Sequence, residues 1–353
     1  MSTQHTSTRC RRRCAIANRE REAILLVRLD GIGDAALCVP ALEGMRRAFP
    51  GAMFGAVCSP SNATLFSERV ENIHVYEASG ALDGVCEDVQ AQRYTRALIA
   101  TEEVVGYELG RCSGAPRRAG FWHGLQKPFK SMWQRAQVSD AVYRPAAWTK
   151  RPEHEVATMY RLASALGASP PVPDSPQDLA AWLRVEDSVT AQKVSDALAF
   201  QVTPKLLAGG WGPTSLARLV TVALDRSGCS HAVLIASRNE ESLACSLLEH
   251  VPGALRDNGS ISMISSLTVP RWLGVLARVS ALVTPDTGAA HVAGMQGVAV
   301  IDLFDEDGFE RLSQQWHPWA GAWRCLPKPA WRAGLETSFG TQVGDAVRAV
   351  RKA

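Results

Sequence analysis

Two short strings, far apart in the chain, hold residue types suited to taking a proton from a hydroxyl and to seating a phosphate. The first is Arg28-Leu29-Asp30-Gly31-Ile32-Gly33-Asp34, closing an apolar run at 23–29 that reads as a buried strand. In an open α/β sheet, ligands sit outside the carboxyl ends of the strands. Gly31 and Gly33 would let the backbone turn tightly and approach a ligand closely. Asp34 falls at the mouth of a helix beginning near Ala35. Spacing leaves two readings of it open: an N-cap, or a carboxylate facing a cleft, poised as a general base. The third glycine of a GxGxxG dinucleotide fingerprint is missing.

The second string is Leu282-Val283-Thr284-Pro285-Asp286-Thr287-Gly288-Ala289-Ala290-His291. It too follows a short apolar strand and opens a helix. Backbone N–H groups at Thr287, Gly288 and Ala289 would point out of that helix start and form a seat for phosphate. The plainer reading makes Asp286 and Thr287 a simple cap and His291 a packed helix residue.

Alternating strands and helices must position these strings. Strands are predicted at 23–29, 52–58, 73–76 and 97–101, with a helix at 35–49 and another at 153–167. The stretch 117–148 is irregular and mixes Arg117, Arg118, Lys127 and Lys130 with Phe121, Trp122, Phe129 and Trp133. It suits either a membrane-facing surface or a plain loop-helix excursion. Four prolines between Ser169 and Pro176 make a stiff connector. Beyond it the alternation resumes, with strands at 204–208, 232–236, 282–284 and 298–304. Helices are predicted at 185–198, 214–225, 240–248, 270–279 and 288–295, and a closing helix at 343–352. This βα alternation marks parallel sheets covered on both faces. The expected organisation is a basic tail (1–22), an N-terminal domain (23–168), a linker (169–179) and a C-terminal domain (180–353), with a cleft between two similar halves.

Bulk composition bounds the function. The chain has 353 residues and a net charge of +3. Residues 1–22 carry six Arg against two Glu, so the rest is near −1, which excludes a nucleic-acid binder by bulk charge. The basic head reads as a solvated tail able to touch anionic lipid. No run is long enough for a signal peptide or a membrane span. Nine scattered cysteines without a CxxC pair read as reduced thiols of a cytoplasmic protein.

The two strings and their surroundings resemble glycosyltransferase family 9, which contains the ADP-heptose:lipopolysaccharide heptosyltransferases. Residues Ile24 to Asp34, then Val39-Pro40-Ala41-Leu42 and Phe49-Pro50, are similar to the family's opening. Residues Thr284 to Ala293 resemble its Asp-Ser/Thr-Gly…His block. A third match is His154-Glu155 with Tyr160-Arg161-Leu162 and Ala165-Leu166-Gly167. The similarity runs in order from about 23 to 352. It implies a GT-B fold of two Rossmann-like domains, the first for the acceptor and the second for a nucleotide-sugar donor. Carried over by position, Asp34 would be the catalytic base. Asp286, Thr287, Gly288 and Ala289 would hold the donor, with His291 nearby and Gly31 and Gly33 on the acceptor-side loop. The implied reaction inverts the anomeric carbon, moves a sugar such as heptose from ADP-heptose, and uses no cofactor and no metal. The acceptor would be a lipopolysaccharide core or another lipid-linked or cell-surface glycan, met at the cytoplasmic face of the inner membrane.

The chain departs from the family in two places. Gly209-Gly210-Trp211-Gly212-Pro213 lacks the basic residue that usually precedes Trp and Pro. Lys205 is the available substitute and is counted among the donor-binding residues, though its place in the predicted strand at 204–208 reads first as an ordinary strand-edge lysine. Second, Phe304-Asp305-Glu306-Asp307-Gly308 replaces the family's Gly-Pro-Thr-Asp-Pro. It spells a DxD that could hold a divalent ion, and reads first as a solvated loop. Trp316, Trp319, Trp323 and Trp331 read as packing, with a contribution to a cleft open. The departures admit a non-catalytic sugar-nucleotide-binding relative. A nucleotide-dependent oxidoreductase lacks the full glycine fingerprint and an acidic ribose partner.

Overall fold

The computed structural model describes residues 21–145, 152–188, 191 and 194–352. Most of the basic head lies outside the described residues. Its last two residues are tied to the body: Arg21 donates to the Gly51 carbonyl at 2.7 Å, and Glu22 accepts from Arg96 at 3.1 Å.

Two six-stranded parallel sheets form the frame. The first has the order β3-β2-β1-β4-β5-β6 and the second β12-β11-β10-β7-β8-β9. The first set is β1 (Ala23–Arg28), β2 (Met53–Cys58), β3 (Asn72–Val75), β4 (Arg96–Ile99), β5 (Arg117–Trp122) and β6 (Asp140–Tyr143). The second is β7 (Ala197–Gln201), β8 (His231–Ala236), β9 (Ile261–Ser265), β10 (Ala281–Pro285), β11 (Ala299–Asp305) and β12 (Trp323–Lys328). Central strands such as β1, β7 and β10 are buried along their whole length, as helices on both faces require. In each sheet the order reverses beside the strand that carries a site string: β1 next to β4, and β10 next to β7. Such a reversal opens a crevice at the carboxyl ends of the strands.

Several expected elements are corrected. The first strand of the second sheet is Ala197–Gln201, not 204–208, and the helix expected over 185–198 has no helical residue from 185 to 188. Residues 204–207 form a short helix begun by Pro204, whose missing N–H costs nothing at a helix start. The helix expected at 35–49 is two, Ile32–Ala36 and Val39–Ala48. Pro40 sits in the first turn of the second, where its ring ends the preceding helix. The irregular stretch contains β5, the helix Pro128–Gln137 and β6; residues 146–148 lie outside the described set. The closing helix starts earlier, at Leu335, and packs on the helix Pro213–Ser227.

The cysteine reading is also corrected. Cys86 and Cys112 form a disulfide between the helices Leu82–Ala91 and Val104–Cys112. Their separation of 26 residues gave no sign that these helices are neighbours. Cys38, Cys58, Cys229, Cys245 and Cys325 are free.

One buried carboxylate ties the connector to the first lobe. Glu43 is fully buried and accepts from Arg46 and Arg47 at 2.8–2.9 Å and from the indole of buried Trp182 at 3.1 Å. Burial opposes its ionisation, but these hydrogen bonds outweigh it and hold the carboxyl below the usual range. Removing Glu43 returns the half-exposed arginines to water but leaves the buried Trp182 N–H unpaired, which costs about 2 kcal/mol. Glu43→Ala is therefore expected to lower unfolding stability by about that amount in urea titrations at neutral pH. Because the folded pKa is depressed, this contribution is present above the unfolded carboxyl value and lost as pH falls through the folded one. The wild type–variant gap should close at acid pH.

Candidate active site

Arg28, at the end of β1, organises the first loop. It is 6% exposed; its Nε lies 3.0 Å from Asp30, and one guanidinium nitrogen donates to Asp34 Oδ1 at 2.8 Å. A further nitrogen donates to the Ala100 carbonyl. Burial works against the Arg28 charge, yet Cys38, Asp30, Asp34 and Glu155 more than offset it and raise its pKa. A fixed cation therefore orients the Asp34 carboxylate. Asp34 is not the N-cap: Gly31 is, and Asp34 sits in the first turn of Ile32–Ala36. Its Oδ2 accepts no hydrogen bond from any described residue and is left for chemistry.

The second loop leaves a helix start uncapped. Thr287 stands at the N-cap of Gly288–Met295, but no side chain caps that helix. The Thr287 hydroxyl instead pairs with that of Thr284 at 2.8 Å. Orphan N–H groups at such a start, with the helix dipole behind them, favour an anion. Lys205 lies beyond the end of β7, on its short helix, and donates to the Asp286 carbonyl at 2.6 Å and to its carboxylate at 3.3 Å. The strand-edge reading of Lys205 is thus corrected. The shift of β7 carries it onto the cleft, beside Asp286 and the uncapped helix start.

Both loops line one crevice of about 620 Å³. Gly31, Gly33 and Asp34 come from the first lobe, and Lys205, Asp286, Thr287, Gly288, Ala289 and His291 from the second. The lobes meet backbone to backbone: a Cβ on Gly33 would lie 2.8 Å from the Gly288 Cα. Gly33 is needed for this contact, and Gly31 has ordinary extended backbone.

Below the crevice lies a cluster of neutral imidazoles. His291 is 4% exposed, and its Nδ1 has no hydrogen-bond partner among the described residues. His154 caps its helix through Nδ1, and its Nε2 meets the His317 carbonyl across the lobes at 2.8 Å. Burial pushes His291 down to about 3 and His154 down to about 4. Both are uncharged at neutral pH, so His291 walls the site without adding charge. Folding selects their neutral forms, so this stability is full above the unfolded value near 6.5 and drains away as pH falls toward 4. His154→Asn, which keeps a capping side chain, should flatten the fall in melting temperature between about pH 6.5 and pH 4. An unchanged slope would remove His154 from this role.

Residues the motifs did not reveal complete the second-lobe wall. Gln201, Thr203, Ser237, Glu240 and Trp272 line the crevice beyond Asp286. The Trp272 indole donates to Gln201 at 3.1 Å, and the Thr203 hydroxyl is buried without a partner. Most of them follow β7 or β8, so position at a strand's carboxyl end was the available signal. The tryptophans divide. Trp316 lines the crevice, while Trp319 bonds the Pro173 carbonyl at 2.8 Å and Trp323 stacks on His317. Trp331 lies in a separate groove with Arg218 and His250. Asp305 is exposed and lies 3.4 Å from Lys328 Nζ.

No protein-family model and no curated protein matches the sequence. Solved structures do. A family 9 glycosyl transferase from Veillonella parvula aligns at TM-score 0.70 and 15% identity, over 94% of this chain and 97% of its own. Escherichia coli ADP-heptose lps heptosyltransferase II aligns at TM-score 0.71 and 15% identity, over 94% and 100%. E. coli heptosyltransferase WaaC with ADP aligns at TM-score 0.67 and 19% identity, over 86% and 93%.

The chain has the GT-B fold.

Within the GT-B frame, the missing basic residue before Trp211 has a local cause. Gly209 and Gly210 both take left-handed backbone, φ 76° and 87°, which a lysine or arginine would strain to adopt. Trp211 is a core residue, 2% exposed, with its indole bonded to the Pro329 carbonyl at 2.8 Å. Among the described residues lining the crevice, Lys205 is the one lysine or arginine.

Proposed function

We propose that this GT-B protein is an inverting, metal-independent glycosyltransferase. It moves a sugar from a nucleotide donor to a lipid-linked or other cell-surface glycan. The sequence resemblance and the aligned structures favour ADP-heptose as donor and a lipopolysaccharide core as acceptor. The observation that carries the reading is the convergence of Asp34 with the uncapped helix start at Gly288 on one crevice.

The chemistry follows from that placement. The acceptor hydroxyl oxygen attacks the anomeric carbon while the bond from that carbon to the diphosphate oxygen breaks. Asp34 takes the hydroxyl proton, and the diphosphate leaves with the bonding electrons. The N–H groups of Thr287 to Ala289, with Lys205, offset its growing charge. One displacement with the base on the acceptor side inverts the anomeric centre.

Thermal shift with ADP-, UDP- and GDP-sugars tests the donor. A melting-temperature rise confined to ADP-sugars supports the reading; a preference for UDP or GDP redirects it. Transfer should be unchanged within about twofold by a chelator, since a helix N-terminus and a lysine offset the diphosphate charge. Strict dependence on a divalent ion would assign Asp305-Glu306-Asp307 a role that this reading denies it. Donor binding with no turnover on any acceptor would instead favour a sugar-nucleotide-binding protein. No helix among the described residues is long and apolar enough to cross a membrane. The cytoplasmic face of the inner membrane is the proposed place of action.

A further inference from the structure

The helix Pro128–Gln137 is inside out relative to water. It buries Ser131 and Gln134, and neither amide atom of Gln134 has a hydrogen-bond partner among the described residues. On its open side Phe129 is 88% and Met132 72% exposed, and Leu125, in the preceding turn, is 93% exposed. These are the three most exposed large apolar side chains among the described residues. Phe129 and Met132 stand three apart on that helix and share a face, and Leu125 lies in the turn just before it, across Lys127. Scattered exposed apolar residues are ordinary; three within one short segment mark a contact surface.

The charge around this segment identifies what covers it. Residues 109–139 contain six Lys or Arg and no Asp or Glu. Lys127 and Lys130 flank Phe129, and Arg135 lies over the Trp122 ring at 4.7 Å. Lys130 and Arg135 have no carboxylate partner among the described residues. A second copy of this cation-rimmed face would repel the first, and a nucleic acid could stack on Phe129 but would leave Leu125 and Met132 uncovered. An apolar segment rimmed by cations fits a bilayer with anionic headgroups, where the side chains enter the acyl boundary and the cations meet phosphates.

We infer that Leu125, Phe129 and Met132, with Lys127 and Lys130, dock the first lobe on an anionic lipid surface. The docking face adjoins the site. Lys127 lies 3.7 Å from Glu102, and Glu102 shares with Asp34 and Arg144 a small cavity of about 220 Å³. An acceptor held in that bilayer would present its sugar to Asp34 without leaving the surface. This acceptor role rests on the transferase reading; the docking itself does not.

Flotation of the full chain with vesicles of phosphatidylcholine, alone or mixed with phosphatidylglycerol, tests it. Binding is expected to the mixed vesicles and to weaken with added salt. Phe129→Ser with Met132→Ser, and separately Lys127→Gln with Lys130→Gln, should each reduce binding about tenfold. Melting temperature should hold, since Phe129 and Met132 are largely exposed and the Lys127–Glu102 pair is a surface one. A wild type that ignores anionic vesicles overturns the inference. So do variants that bind as tightly as the wild type, the result expected if the Arg-rich residues 1–22 carried the interaction. A self-association abolished by Phe129→Ser, with no vesicle dependence, overturns it in favour of a second copy. Vesicle binding is read without turnover, so the docking face stands or falls apart from the transfer reaction.

Discussion

Asp34→Asn is expected to cut turnover by about 10²–10⁴-fold, the range a positioned general base supplies, while leaving donor affinity within about twofold. The prediction depends on what the substitution keeps. Asparagine has the same shape, and its Oδ1 can still accept from Arg28, which holds the wild-type carboxylate at 2.8 Å. Lobe packing and the helix start at Gly288 are untouched, so what is lost is the capacity to take a proton and one negative charge beside Arg28. Asp30→Asn is the matched control, because Asp30 also faces Arg28, at 3.0 Å. If Asp34 served only to balance the Arg28 charge, the two variants would behave alike. Steady-state transfer and calorimetric donor binding on the same preparations separate these cases. Near-normal turnover in Asp34→Asn removes it from the mechanism.

Gly33→Ala should lower kcat by about 10²-fold, the order expected when reacting groups are displaced by about 1 Å. A Cβ there would sit 2.8 Å from the Gly288 Cα and 3.2 Å from its nitrogen. Those are backbone atoms, so no side-chain rotation relieves the clash and the lobes must separate. Gly33 lies within a helix, where alanine is otherwise favourable, so each lobe should stay folded. The signature is a fall in kcat larger than the loss of donor affinity, since the Cβ also presses on the Gly288 backbone. A variant with wild-type kcat would show that the two backbones need not touch during transfer.

Much of this was legible in the sequence, for identifiable reasons. Central strands such as β1 and β10 are unbroken apolar runs, and the loops after them carry the glycines and carboxylates that mark a ligand edge. Of the edge strands only β3 was legible; β6, β9 and β12 were not, and neither was the inner strand β5. Asp140–Tyr143 is four residues with alternating exposure, and Trp323–Lys328 includes Arg324 and Pro327. The misplacement of β7 had a specific cause. Pro204-Lys205-Leu206-Leu207 imitates an apolar strand, while Ala197–Gln201 followed on from a stretch that read as helical. That one error hid the contact between Lys205 and Asp286, because a residue's role depends on where its strand ends. The cation missing before Trp211 was visible as an absence; its replacement was visible only once β7 was placed. The Cys86–Cys112 pair and the Gly33–Gly288 contact are long-range neighbours that no local pattern records.

The central claim is that the two lobes build a single site, with a proton acceptor on one side and a diphosphate seat on the other. A crystal structure of the protein soaked with a nucleotide-sugar measures this most directly, through the position of the donor's anomeric carbon. The expected result has the diphosphate on the backbone N–H groups of Thr287 to Ala289, beside Lys205, with the anomeric carbon facing Asp34 across the crevice. A nucleotide-sugar seated instead in the groove of Arg218, His250 and Trp331, with the crevice left to solvent, would contradict it.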